Sequence, residues 1–216
     1  EIITNDKPNA TENDLVFDNY AVERFRLNDD PIMYPSIDWR RYLLNKTSVQ
    51  TQHNLNISGG TKDIRYFISL GFLYQNGLLK QFEGVGYDNN YKYKRYNYRA
   101  NLDFDATKTT TLKIGIGGIV GNRNEPMIND ATNSIWTLIN QTTPFSSPGV
   151  IDGKLIVTPE ERFDNKINLG NSALPKCYGT GYSTAINNTM NLDLLLNQKL
   201  DFITKGLSAE IKGAYN

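Results

Sequence analysis

Val-Gln-Thr-Gln-His-Asn-Leu-Asn-Ile-Ser, residues 49–58, decides how the rest of the chain reads. Gln50, Gln52, Asn54, Asn56 and Ser58 are polar and uncharged, while the intervening set carries Val49, Leu55 and Ile57. Side chains along a strand point to opposite faces in turn, so the segment predicts a strand with one wet face and one mostly apolar face. Working outward, the same alternation returns often enough to predict about six strands in all. A sheet standing between hydrocarbon and a watery lumen has this pattern.

The second strand is predicted over 64–75, with Ile64, Tyr66, Ile68, Leu70, Phe72 and Tyr74 on one face; Phe67 and Leu73 interrupt the polarity of the other. The third covers 93–105, where Tyr96, Tyr98, Ala100, Leu102 and Phe104 oppose Arg95, Asn97, Arg99, Asn101 and Asp103. The fourth runs over 111–121, the fifth over 183–200, and a sixth closes the chain from Leu207 to Tyr215. Gly59-Gly60, Ala106 and Asp201 mark short turns, whereas 76–92 and 122–182 are long connections. Ahead of the strands, 1–48 forms a lead-in: a polar start over 1–14, an amphipathic helix over 15–27 ended by Asp29-Asp30-Pro31, and a helical turn at 39–44. The longest connection carries a predicted helix over 130–141 and breaks at Pro144, Pro148-Gly149, Asp152-Gly153 and Pro159.

Composition removes several classes. The 23 basic and 23 acidic residues cancel, so no global field favours nucleic acid. No apolar run approaches the roughly 18 residues of a transmembrane helix, a rule that leaves membrane-spanning strands untouched. Cys177 is the single cysteine, which excludes a disulfide framework within the segment and reads as an unpaired loop residue. His53, the single histidine, stands on the mostly apolar set of the first strand and offers poor ground for a metal site. Glu1 is no initiator and Asn216 falls inside a strand pattern, so the reading expects a piece of a longer protein.

Alternation also fits a soluble, carbohydrate-binding β-sandwich. The strands here are longer than the usual five or six residues, and nearly every one carries charge on one face, which a water-filled lumen allows. The fold class expected is therefore all-β, an antiparallel transmembrane β-barrel segment. Barrels of this kind have short periplasmic turns and longer extracellular loops, which places the 59, 106 and 201 turns on the periplasmic side and the 76–92 and 122–182 loops outside. Phe72, Tyr74, Tyr96, Tyr98 and Tyr215 then lie at one interface, and Tyr66, Phe104 and Phe202 at the other.

Few residues point to chemistry. Gly115-Ile116-Gly117-Gly118-Ile119-Val120-Gly121 fails the dinucleotide fingerprint because Val120 takes the third glycine position. Asp103, Asp105, Asp193 and Asp201 read as solvated wall groups rather than a carboxylate pair. Glu160, Glu161 and Asp164 lack the alternation of a calcium loop. The best ligand candidates are Tyr87, Asn89, Tyr91 and Lys92, where rings that stack stand beside groups that bind hydroxyls or carboxylates, together with Trp136 in the longest loop. Neither a catalytic set, a metal site nor a cofactor site is expected.

Three stretches taken together resemble the SusC/RagA family of TonB-dependent outer-membrane transporters of Bacteroidetes: DDPIMYPSIDW (29–39), QTQHNLNISGGTKDIRYFISLGFLYQNGLLK (50–80) and YKRYNYRANLDFDATKTTTLKIGIGG (93–118). The order and spacing of the proline-containing lead-in, the His-Asn strand ending in Ser-Gly-Gly, the aromatic strand ending in Gln-x-Gly and the Tyr-x-Arg-x-Asn strand agree with the family over about 20–121. The resemblance thins over 121–181 and returns in the closing hairpin. It implies a slice of a plugged barrel of about 22 strands. It implies import of glycan fragments or oligopeptides at the outer membrane, not catalysis. It also implies a SusD-like surface lipoprotein as partner, and TonB contacted through regions not present here. A passive outer-membrane porin is the alternative that needs neither plug nor lipoprotein.

Overall fold

The computed structural model describes residues 17–128, 134–158 and 172–216. The polar start at 1–14, Leu15 and Val16 of the first predicted helix, the 130–133 start of the 130–141 helix, Pro159, and Glu160, Glu161 and Asp164 lie outside the described residues. The chain forms two units. One, the sheet unit, comprises Ser48–Gly77, Tyr91–Asn124 and Thr184–Asn216; the other, the helical unit, comprises Glu1–Thr47, Leu78–Asn90 and Glu125–Ser183.

The sheet unit draws on β1 (Gln50–Gly60), β2 (Ile64–Asn76), β3 (Lys92–Asp105), β4 (Thr110–Pro126), β7 (Tyr182–Lys199) and β8 (Ser208–Tyr215), in the spatial order β1-β2-β3-β4-β7-β8. The ladders whose register is resolved are antiparallel. All six predicted strands are present; β4 and β7 begin or end a few residues beyond their predicted limits.

The register carries the alternation across the sheet. Leu55 pairs with Leu70, Leu70 with Tyr98 and Tyr98 with Gly118; on the next apolar rung Ile57, Ile68, Ala100 and Ile116 line up. The rung between them is polar, Asn56–Ser69–Arg99–Gly117, and on the far side of the Leu55 rung Asn54, Gly71 and Asn97 line up and end on Ile119. A one-residue slip would exchange the two faces, so the pattern itself fixes the pairing.

The short turns are locally encoded. Thr61 accepts from the Asp63 and Ile64 amides through Oγ1 (3.4 and 3.3 Å) and donates its own amide to Ile64 O (2.6 Å). Thr107 Oγ1 accepts from the Thr109 amide (3.2 Å) between β3 and β4. Asp201 Oδ1 accepts from the amide of Gly206, whose φ of 84° suits glycine, between β7 and β8.

The apolar face is uncovered. Leu70 is 48% exposed and Ile211 is 71% exposed, and Leu55, Ile57, Ile68, Ile116, Ile186 and Leu194 are exposed with them. Each such side chain left in water forgoes roughly 1.5–3 kcal/mol of transfer free energy. In a sandwich these residues would be the buried core.

The helical unit has a dry core. Its helices are α1 (Asn19–Leu27), α2 (Trp39–Leu43), α3 (Ile135–Gln141) and α4 (Ala173–Tyr178), with a small hairpin of β5 (Val150–Ile151) and β6 (Lys154–Leu155). Asp18 caps α1 by accepting from Ala21 N (2.6 Å), Asp38 caps α2 by accepting from Arg41 N (3.1 Å), and Ser134 caps α3 by accepting from Thr137 N (3.3 Å). The predicted helix over 15–27 is observed from Asn19, and the one over 130–141 from Ile135.

Trp39, Leu43, Leu79, Leu138, Leu174 and Tyr178 are among the buried side chains that pack together. Polar ties fix the pieces. Trp39 Nε1–H donates to Thr143 O (2.8 Å), Lys80 N–H to Leu43 O (2.8 Å), Val150 N–H to Tyr42 Oη (2.8 Å) and Tyr178 Oη–H to Lys80 O (2.8 Å). At one crossing only glycine fits: a Cβ on Gly84 (φ 88°) would stand 2.1 Å from Gly153 O, and Gly153 itself has φ 72°. Two elements were not anticipated from sequence, α4 and the β5–β6 hairpin. The break at Asp152-Gly153 is that hairpin's two-residue turn, with Asp152 at φ 50°.

Candidate functional site

The five sequence-predicted ligand residues divide between the two units. Tyr87 and Asn89 belong to the helical unit and engage the segment that leaves α4. Tyr87 Oη–H donates to Tyr178 O (2.5 Å) and accepts from Gly181 N (3.0 Å), and its ring lies 5.9 Å from that of Tyr182. Asn89 is wholly buried and donates from Nδ2 to Cys177 O. Both side chains thus fasten 78–90 to 177–182. Trp136, on α3, is 51% exposed, and its carbonyl accepts from Asn140 Nδ2 (2.7 Å), while Asn140 Oδ1 accepts from Arg40 Nη2 (2.8 Å). Tyr91 is exposed just before β3, and Lys92 is half-buried at its first position.

Cys177 corrects the expectation of a loop thiol. It lies on α4, fully buried and free, and burial pushes its thiol up to about 12. Thiolate chemistry is therefore closed to it at neutral pH. Burial also raises the Tyr178 hydroxyl. No group of three His, Cys, Asp or Glu gathers in a metal-binding arrangement among the described residues.

The sheet unit presents two hollows on its polar face that sequence reading did not single out. One, of about 520 Å³, is charged: Arg65, Asp103, Lys113, Asp193 and Lys212 line it with Phe67 and Asn101. Arg65 lies 3.9 Å from Asp103 and 3.4 Å from Asp105, and Thr111 Oγ1 donates to Asp105 Oδ1 (2.8 Å). The other, of about 400 Å³, is nearly neutral. Asn54, Ser69, Asn97, Thr189 and Asn191 line it, with Arg99 as its one charged group, Phe67 and Ile119 as apolar borders, and Gly71 and Gly117 as floor. The signal for both was present in the rungs, where polar side chains of adjacent strands coincide with glycines. It becomes a site only once the register is known.

An uncovered apolar face, a polar face with hollows, and a sheet that ends at β1 and β8 frame the comparisons with known proteins. No protein-family model matches the chain. It is 28% identical over 125 residues to the TonB-dependent receptor SusC of Bacteroides thetaiotaomicron, a match covering 51% of this chain and 12% of that protein. The structure of the RagAB peptide importer in its closed-closed state aligns over 83% of this chain and 18% of the compared one, with a TM-score of 0.54 at 16% identity. The structure of the RagAB peptide transporter aligns over 90% of this chain and 22% of the compared one, with a TM-score of 0.52 at 16% identity.

The chain is SusC/RagA-like. Its antiparallel sheet is a segment of barrel wall, unclosed within the described residues, and the matched stretch of the chain spans 12% of the length of the curated relative.

Proposed function

We propose that the segment is part of the wall of a TonB-dependent outer-membrane transporter that imports glycan fragments or oligopeptides with a SusD-like surface lipoprotein. The observation that carries this reading is the polarity of the sheet. One face holds Leu55, Leu70, Ile116 and Leu194 in the open, while the other holds paired charges and amides. Hydrocarbon satisfies the first and a hydrated lumen the second. The backbone between them is hydrogen-bonded across the ladders, as a lipid environment demands.

Strand length supports the same reading. At about 3.3 Å per residue, the 17 residues of β4 and the 18 of β7 exceed what a hydrocarbon core of about 30 Å needs, even when tilted. The excess carries these strands beyond the lipid toward the long connections. The connections 76–92 and 122–182 are then the extracellular loops that meet ligand or the lipoprotein, and Tyr91, Lys92 and the exposed Trp136 are candidate ligand residues on them. The reading assigns transport rather than catalysis.

The test uses the full-length protein in its native host. The expected result is recovery in the outer-membrane fraction, co-purification of a surface lipoprotein, and solute uptake that stops when TonB is deleted or the proton gradient is collapsed. Uptake that survives both treatments would establish a passive porin instead.

A further inference from the structure

We infer that the neutral hollow on the polar face is a binding subsite for an uncharged, polyhydroxylated ligand, a saccharide ring. The inference rests on the transport reading above and deepens it by choosing between the two solute classes left open there.

The geometry begins at Gly71. A Cβ there would lie 2.7 Å from Asn97 Nδ2 and 3.0 Å from Asn54 Oδ1, so the two amides converge over the space this residue leaves vacant. Asn97 Oδ1, shielded from water, has no hydrogen-bond partner among the described residues. One rung away, Gly117 clears the floor: a Cβ on it would meet only Tyr98 O, at 3.4 Å. The Asn191 amide and the Thr189 hydroxyl face the same space from β7.

The chemistry of this lining selects the ligand. A sugar hydroxyl both donates and accepts, and so does a carboxamide or a hydroxyl, whereas a carboxylate only accepts and an ammonium only donates. The hollow contains carboxamides and hydroxyls, one guanidinium and no carboxylate. A zwitterionic peptide needs a fixed charge of each sign, and the hollow lacks the negative one. Phe67, exposed at the border of the hollow, supplies the apolar surface against which the C–H face of a pyranose packs. The volume of about 400 Å³ falls within the range of small-ligand sites. The neighbouring hollow differs in charge: Asp103, Asp193, Arg65, Lys113 and Lys212 line it, and Arg65 lies 3.9 Å from Asp103 across the strands.

The full-length transporter, purified in detergent with its lipoprotein, is titrated calorimetrically with maltotetraose, cellotetraose, mannotetraose and zwitterionic trialanine. Gly117→Leu fills the hollow from its floor, and the Asn54→Ala/Asn97→Ala pair removes the converging amides. Gly213→Leu, on the opposite face with nothing within 4 Å of its Cβ position, is the control.

The expected result is binding of at least one tetrasaccharide by the wild type and a loss of at least tenfold in Gly117→Leu. The double variant loses about fivefold, and Gly213→Leu is unchanged. Saccharide affinity within twofold of wild type in both hollow variants overturns the inference, as does exclusive binding of trialanine or binding of none of the probes. Lower thermal stability of Gly117→Leu without a saccharide-specific loss also overturns it, because the hollow is then filled by another part of the polypeptide. TonB-dependent uptake of any solute by the wild type keeps the transport reading standing in each of these cases, so the two failures are told apart.

Discussion

The sheet unit and the helical unit solve the same problem in opposite ways. Each must satisfy its backbone and place its apolar side chains. The sheet does so largely with neighbours close in sequence: β1 and β2 are joined by a three-residue turn, and the residues of its apolar face recur at every second position, as Ile64, Tyr66, Ile68, Leu70 and Phe72 do in β2. It leaves its apolar face open. The helical unit collects Trp39, Leu79, Leu138 and Leu174 from distant stretches and seals them away from water. The first arrangement depends on the surrounding solvent for its stability, and the second on its own packing.

Substitutions can break that contrast. The largest effect is expected at Trp39, which is buried and anchored by its indole N–H. Trp39→Ala should cost the helical unit about 3–5 kcal/mol. Hydrogen exchange on the full-length protein should show amides of 78–90, 135–158 and 173–178 losing protection while those of β2 and β3 hold; uniform loss would mean that the two units unfold as one.

Leu70→Arg comes next. Because Leu70 is already exposed in the chain, the change should matter little in water but cost about 2–4 kcal/mol on refolding into lipid vesicles. Equal effects with and without lipid would refute the assignment of that face to hydrocarbon.

Cys177 sharpens the comparison from the other side. A maleimide at pH 8.5 should label it at least about 100-fold more slowly in the folded protein than in the denatured chain. The pH dependence has a definite sign. The folded thiol is raised from 9.0 to about 12, so between those values the unfolded chain loses its proton and the folded one keeps it. The helical unit should therefore lose stability as pH rises through that window, with full stability below it.

What could be read in advance follows from the same contrast. Six strands and their faces were legible because a period of two is a local property, visible in Gln50–Ser58 or Tyr96–Phe104 without knowledge of any partner. The core of the helical unit was not, because Leu79 meets α2 and α4 only after long stretches of chain have folded back. Some of its signals were local and went unread. Asp152-Gly153 between Val150-Ile151 and Lys154-Leu155 is a hairpin signature, and Leu174, Cys177 and Tyr178 have helical spacing. Pro175 obscured that spacing, yet it falls in the first turn of α4, where a missing amide proton costs nothing.

Among the ligand candidates, Tyr87 was read as a ring that stacks on ligand and Asn89 as a partner for ligand hydroxyls or carboxylates; in the structure both donate to carbonyls of this chain. The neutral hollow went unnoticed because its residues come from five strands and its floor is made of glycines, which register in sequence only as an absence of side chain.

The crossing of Gly84 and Gly153 has a consequence for how such a surface diversifies. Two connections far apart in the gene touch backbone to backbone, and neither can acquire a side chain there without the other moving. Insertions or exchanges within either connection must preserve that meeting point. Variation is thereby steered toward exposed positions such as Trp136, which can change without unfastening the pair.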